Sequence, residues 1–161
     1  KPLAASRAIA SLNFASAGNG VTNHLAMEMF SQAAGIKMQH VPYKGTPAAL
    51  TDLMDGRVSV MFDTPVAVLP FLKDGRLKPI AVGGTTRNAS LPDVPTVAEV
   101  GYPGFSAISW MGFVAPAKTP APIVAKLNEA IAKIVATPEM HKYFASQGVE
   151  AMPMTAPVFG N

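Results

Sequence analysis

Three times in its first half, the chain repeats one order: a short apolar run, a turn-forming cluster, then apolar residues at helical spacing. Leu12–Ser16 reads as a strand, Ala17-Gly18-Asn19-Gly20 as a loop, and Val21–Ala34 as a helix stopped by Gly35. Met38–Val41, Pro42-Tyr43-Lys44-Gly45 and Thr46–Met54 repeat the pattern, with Pro47 in the first helical turn. Val58–Phe62, Asp63-Thr64 and Pro65–Leu72 repeat it again, and Pro79–Val82 reads as a fourth short strand. Strands joined by helices must run parallel, so this order predicts βαβ units and an open α/β sheet with flanking helices.

The remaining segments are less regular. Leu3–Ser11 reads as an initial helix. In the helix from Val21, the residues Val21, Leu25 and Met29, flanked by Ala26, Phe30 and Ala33, predict one buried stripe. Residues 83–105 are rich in Gly, Thr, Asn and Pro, and Thr96 with Glu99 forms a capping-box signature. Ala107–Ala115 reads as a further strand, in which Trp110 is expected to pack in the core or at a hinge. Thr119-Pro120 opens a helix with Ile123, Leu127, Ile131 and Ile134 on one face, and Thr137-Pro138-Glu139 caps another that ends at Gly148.

Three strand-to-helix loops in succession open on the carboxyl edge of a parallel sheet, the edge where ligands bind in such folds. Each offers unpaired N–H groups at a helix start, suited to an anionic oxygen. The candidates are Ser16, Gly18, Gly20 and Thr22 in the first loop, Tyr43, Lys44 and Gly45 in the second, and Asp63 and Thr64 in the third. Thr64 can cap its helix and leave Asp63 free, so a turn-stabilising role and a ligand contact both stay open for Asp63.

Other chemistries find less support. Gly18-Asn19-Gly20-Val21-Thr22-Asn23 lacks the third glycine of a dinucleotide fingerprint, and Lys44-Gly45-Thr46 reverses the P-loop order. Ser16, His24 and Asp63 have the residue types of a triad, but Ser16 is outside a Gly-x-Ser-x-Gly elbow. For His24 a hydrogen bond to the neighbouring loop is the plainer role. His24, His40 and His141 share no ligand-like spacing, and the absence of cysteine removes thiolate ligands and thiol nucleophiles. The net charge of +3 comes from scattered bases without interleaved aromatics, which argues against a nucleic-acid surface. No apolar run reaches the roughly 18 residues needed to span a bilayer.

Several stretches together carry a family resemblance. They are Asn13-Phe14-Ala15-Ser16-Ala17-Gly18-Asn19-Gly20, His24-Leu25-Ala26, His40-Val41-Pro42-Tyr43-Lys44-Gly45, Ala48-Ala49-Leu50-Thr51-Asp52-Leu53 and Met61-Phe62-Asp63. Leu91-Pro92-Asp93-Val94-Pro95-Thr96-Val97-Ala98-Glu99, Ser109-Trp110-Met111-Gly112 and Ala115-Pro116 continue the series. Over about residues 12 to 150 the chain resembles the Bug, or TctC-like, extracytoplasmic receptors of tripartite tricarboxylate transporters. The resemblance implies a periplasmic binding protein of type II that closes on a small carboxylate or amino-acid-like ligand and delivers it to a membrane permease. It implies ligand contacts from the backbone of Gly18, Asn19, Gly20, Val21 and Thr22, from the Tyr43–Gly45 loop, and from Asp63 through water or onto an amine. Val21 stands where family members usually carry a hydroxyl residue, so its N–H, or Thr22, is expected to serve instead.

The same resemblance implies three parts: residues 1–11 as a remnant helix, 12–106 as the second, ligand-binding lobe, and 107–161 as a trailing segment of the first. No cofactor, metal or catalytic group is implied. A leader peptide and the rest of the first lobe are expected outside this sequence. The alternatives are a truncated domain that keeps the fold without useful affinity, and a small α/β hydrolase. The apolar residues of 107–136 are expected to find cover in a homodimer rather than by folding back.

Overall fold

The structure, a computed structural model, describes residues 12–155. The predicted helix Leu3–Ser11 and the chain end around Phe159 lie outside the described residues. The elements are β1 (Asn13–Ser16), α1 (Thr22–Ala34), β2 (Gln39–Pro42), α2 (Thr46–Met54), β3 (Val60–Met61), α3 (Pro65–Lys73), α4 (Ala121–Val135) and α5 (Pro138–Ser146). The chain divides into two compact units between Ser109 and Trp110.

In the first unit the three strands form one parallel sheet in the order β2-β1-β3. The step from β1 to β2 goes one way along the sheet, and the step from β2 to β3 goes back past β1. Right-handed crossovers then put α1 and α2 on opposite faces. The pleat of β1 serves both: Phe14 and Ser16 face one side, and Ala15 the other. Phe14 and His40, paired in register, carry the ring of His24 from α1. On the opposite side Ala15 packs with Ala49 of α2 and Val58, edged by Val41, Tyr43, Leu53 and Met61. Phe14, Ala15 and Ser16 are wholly buried, as a central parallel strand requires.

The expected α1 stripe is corrected. Val21, Leu25 and Met29 are exposed, while Ala26, Met27 and Ser31 are buried. The helix carries apolar residues on more than one face, and the sheet takes the row beginning at His24 because that ring stacks on the rings below it. The predicted strand Val58–Phe62 contracts to two residues, although Val58 stays in the core and Asn13 holds Ser59 through both its N–H and its hydroxyl. Of Pro79–Val82 only Val82 pairs, in a single parallel bridge to Thr96.

The capping box forms, with the Thr96 N–H on Glu99 Oε2 at 2.6 Å and the Glu99 N–H on Thr96 Oγ1 at 3.1 Å. It closes a turn rather than a helix. Arg87 grips the same carboxylate, and the two donors hold Glu99 down at about 2. In the second unit α4 and α5 form where proline placement predicts them, and Thr137 Oγ1 accepts from the Met140 N–H at the start of α5. Ala107–Ala115 is not a strand; Ile108 and Phe113 are largely exposed, and Trp110 is 72% exposed rather than buried. Ile123, Leu127 and Ile134 on α4 are also about half exposed.

Candidate functional site

All three β-to-α loops of the first unit leave the carboxyl ends of parallel strands, so they share one edge of the sheet. β1 lies between its two neighbours, which makes its end the point where the winding reverses. The first two loops are tied to each other beyond the strands. The Tyr43 N–H donates to the Ser16 carbonyl at 2.9 Å, and the Gly45 N–H to the Ala17 carbonyl at 3.0 Å. Gly45 makes this bridge at φ 109° and ψ 161°, a region essentially closed to residues with a Cβ.

The helices that follow these loops, α1, α2 and α3, all begin without a side-chain cap, from Val21, Gly45 and Thr64. In the second unit α5 has a side-chain cap and α4 has none. The orphan N–H groups of three helix starts are therefore left for solvent or a ligand. Lys44, exposed in the second loop, makes no ion pair among the described residues. Asp63 accepts from the Thr64 N–H through Oδ1 at 2.7 Å, while its Oδ2 is buried without a protein partner. Thr64 makes no cap with its own side chain, so the cap role expected of it is not filled.

The first loop is held from beneath by side chains. The Asn23 carbonyl oxygen accepts from the Ala17 N–H at 3.2 Å, and His24 Nδ1 accepts from the Gly20 N–H at 3.0 Å. Ser16 Oγ accepts from the Gly18 N–H at 3.2 Å, donates to the Gly18 carbonyl at 2.8 Å, and lies 2.6 Å from His40 Nε2. His24 and His40 stack with ring centroids 4.0 Å apart, and the other nitrogen of His24 lies 3.7 Å from the Glu28 carboxylate. Burial, then the neighbouring His24, hold His40 below the usual imidazole range, with Glu28 pulling the other way.

The structure brings together Ser16, Gly18, Asn19, Gly20, Val21, Thr22, Tyr43, Lys44 and Gly45 in two bonded loops, with Asp63 on the same sheet edge beyond β3. Tyr43 offers its backbone only: its hydroxyl donates to Asp52 Oδ2 at 2.7 Å, and Asp52 also binds Arg57 at 2.6 Å. That bond pushes the Tyr43 phenol up and the Asp52 carboxyl down. The Ser16–His24–Asp63 grouping is not found. Ser16 meets His40 instead, and it is 0% exposed, so its hydroxyl has no path to a substrate. Asn23 and His40 were missed as loop supports. The signal for His40 was parity: once β1 and β2 pair in register, Phe14, Ser16 and His40 share a face. An open groove between α1 and the 101–106 turn, lined by Met29, Gln32, Tyr102 and Phe105, contains none of these residues.

The model of the family described as "Tripartite tricarboxylate transporter family receptor" (TctC) matches residues 3–158. The chain is 37% identical over 145 residues to the UPF0065 protein in the clcB-clcD intergenic region of Pseudomonas knackmussii, covering 89% of this chain and 86% of that one. Among solved structures it is similar to R. palustris Rpa4515 with adipate (31% identity, TM-score 0.89, 99% of this chain and 54% of that one). It is also similar to MatC from Rhodopseudomonas palustris with bound malate (33% identity, TM-score 0.82, 96% and 54%). The chain spans about half the length of these two structures, and less than half of several other relatives.

Proposed function

The chain belongs to the tripartite tricarboxylate transporter receptor family, and from that premise we propose that residues 12–106 are a ligand-binding lobe holding a small carboxylate at the loops after β1, β2 and β3. The observation that carries this reading is the set of three uncapped helix starts on one sheet edge, two of them joined by Gly45. Carboxylate oxygens would take the N–H groups of Asn19, Val21, Thr22 and Lys44, while those of Gly18, Gly20, Tyr43 and Gly45 hold the two loops together; partial positive charge accumulates at these helix starts, and the Lys44 side chain adds a full one. Asp63, with Oδ2 unpartnered, suits a donor on the ligand: an amine, a hydroxyl or a carried water. The ligand class is supported by the adipate and malate held in two similar receptors.

Residues 107–161 would belong to a companion lobe, and the exposed Ile108, Phe113, Ile123 and Leu127 favour a cover of that kind. Pairing of residues 107–136 with a second copy is the other way to cover them. Family membership supports a periplasmic location and delivery to a membrane permease.

Titrating the chain with adipate and with malate, followed by calorimetry and amide chemical shifts, tests the site. Saturable binding with shifts at Gly18–Thr22 and Tyr43–Gly45 is expected. Shifts confined to other residues would refute the placement, and no binding would leave a lobe that keeps the fold without affinity.

A further inference from the structure

We infer that His24 and His40 are positioning residues: they clasp the Gly18–Gly20 turn in its ligand-receiving form, and protonation of His24 opens that clasp. The inference rests on the carboxylate-binding reading of the same loop.

It begins with the tautomers. Gly20 donates its N–H to His24 Nδ1 at 3.0 Å, so that nitrogen must hold a lone pair and the ring proton sits on Nε2, toward Glu28. A second proton on the ring would set a donor against a donor, and the Gly20 contact would have to break. Ser16 fixes the other end of the turn. Its hydroxyl has two acceptor positions and one proton, and three neighbours are in reach: the Gly18 N–H, the Gly18 carbonyl and His40 Nε2. All three are satisfied when His40 carries its proton on Nε2 and donates to Oγ, while Oγ–H donates to Gly18. Ser16 thereby pins both polar groups of Gly18, and His40 orients Ser16.

The two rings are also coupled. Stacked with centroids 4.0 Å apart, they resist a shared positive charge. The ionisable groups facing the pair are the rings themselves and Glu28 on α1; β1 presents Phe14 and Ser16, which carry no charge. Burial and the neighbouring ring keep His40 neutral to lower pH, against the pull of Glu28. A proton added to the clasp at His24 falls on the acceptor that Gly20 needs. Loosening that turn displaces the neighbouring N–H groups of Asn19, Val21 and Thr22, which are the ones assigned to the ligand, without touching any ligand atom.

The test follows the rings and the ligand separately. In the 15N-labelled full chain, long-range imidazole spectra are expected to show His24 with the proton on Nε2. The Gly18 and Gly20 amides should follow the His24 ring signals as the pH is lowered from about 8 to about 5.5. Adipate affinity should fall about tenfold over that range, the scale of one net hydrogen bond. His24→Asn places a non-titrating oxygen near the Nδ1 position, and its adipate affinity, whatever its level, should be flat with pH. His24→Leu has no acceptor and should also lose the slope, with the Gly20 amide shifted at every pH. A slope that persists in His24→Asn, or glycine amides that ignore the His24 titration, would overturn the clasp. If adipate and malate fail to bind at any pH, the carboxylate reading falls, while the amide titration still decides whether the clasp exists.

Discussion

Gly83→Ala separates a glycine needed for space from one needed for backbone conformation. A Cβ at Gly83 would lie 2.5 Å from Phe62 Cζ, 3.0 Å from Phe62 Cε1 and 2.8 Å from the Ala107 carbonyl oxygen. The Phe62 ring has Phe105 beside it, with ring centroids 6.5 Å apart. The Ala107 oxygen is backbone, and the Ala107 N–H donates to the Gly83 carbonyl at 2.9 Å, so retreat of residue 107 breaks that bond. Overpacking of this kind costs about 1–3 kcal/mol, and the lost hydrogen bond adds about 1 kcal/mol. The expected loss is therefore about 2–4 kcal/mol. Gly20→Ala is the counterpart: φ is +75° and no atom lies within 4 Å of the new Cβ. Only the left-handed conformation opposes it, at about 1–2 kcal/mol. Urea unfolding of both variants, followed by circular dichroism, measures the difference. A Gly83→Ala loss below about 1 kcal/mol would show that this contact yields freely, and the packing argument would fail.

Two further outcomes rest on the ionised groups. Asp52→Asn removes the charged acceptor of the Tyr43 hydroxyl, so the Tyr43 phenol, now held above its usual range, should titrate closer to 10 in ring-proton spectra. An unchanged titration would mean that the bond is not formed in solution. Glu99, held at about 2 in the folded chain, binds protons more weakly there than when unfolded, so its contribution is complete above the ordinary 4.5 and is lost as pH falls toward 2. Glu99→Gln should flatten that acid limb of the melting temperature, and an identical pH dependence in both proteins would contradict the assignment.

What the sequence disclosed was local. The bounds of α2, Thr46–Met54, follow from Gly45 before it and Pro47 in its first turn, and the structure returns the same residues. The loop-and-helix order of the first unit, and with it the sheet edge carrying the candidate residues, follows from similar punctuation. Strands fared worse because a ladder needs two partners. Ala107–Ala115 has the composition of a strand, yet it joins no ladder; the Ala107 N–H reaches the Gly83 carbonyl. The buried face of α1 was likewise undecidable from spacing alone, since the helix offers apolar residues on several faces. The sheet below chose the one led by a histidine.

Ser16 shows how far residue type alone can mislead about a site. A serine at the end of a central strand, with two histidines near in space, has the composition of a nucleophile and its base. Its position in the order β2-β1-β3 decides otherwise. The central strand is the one covered on both faces and both edges, so the last residue of β1 is the most enclosed polar group on the carboxyl edge of the sheet. A hydroxyl enclosed in this way must spend its donor and both acceptor positions inside the protein, because each one left unpaired costs about 1–3 kcal/mol. The nearest groups able to take them are the two polar atoms of Gly18 and the ring facing it from β2. The burial that closes Ser16 to chemistry thus makes it a builder of the loop above.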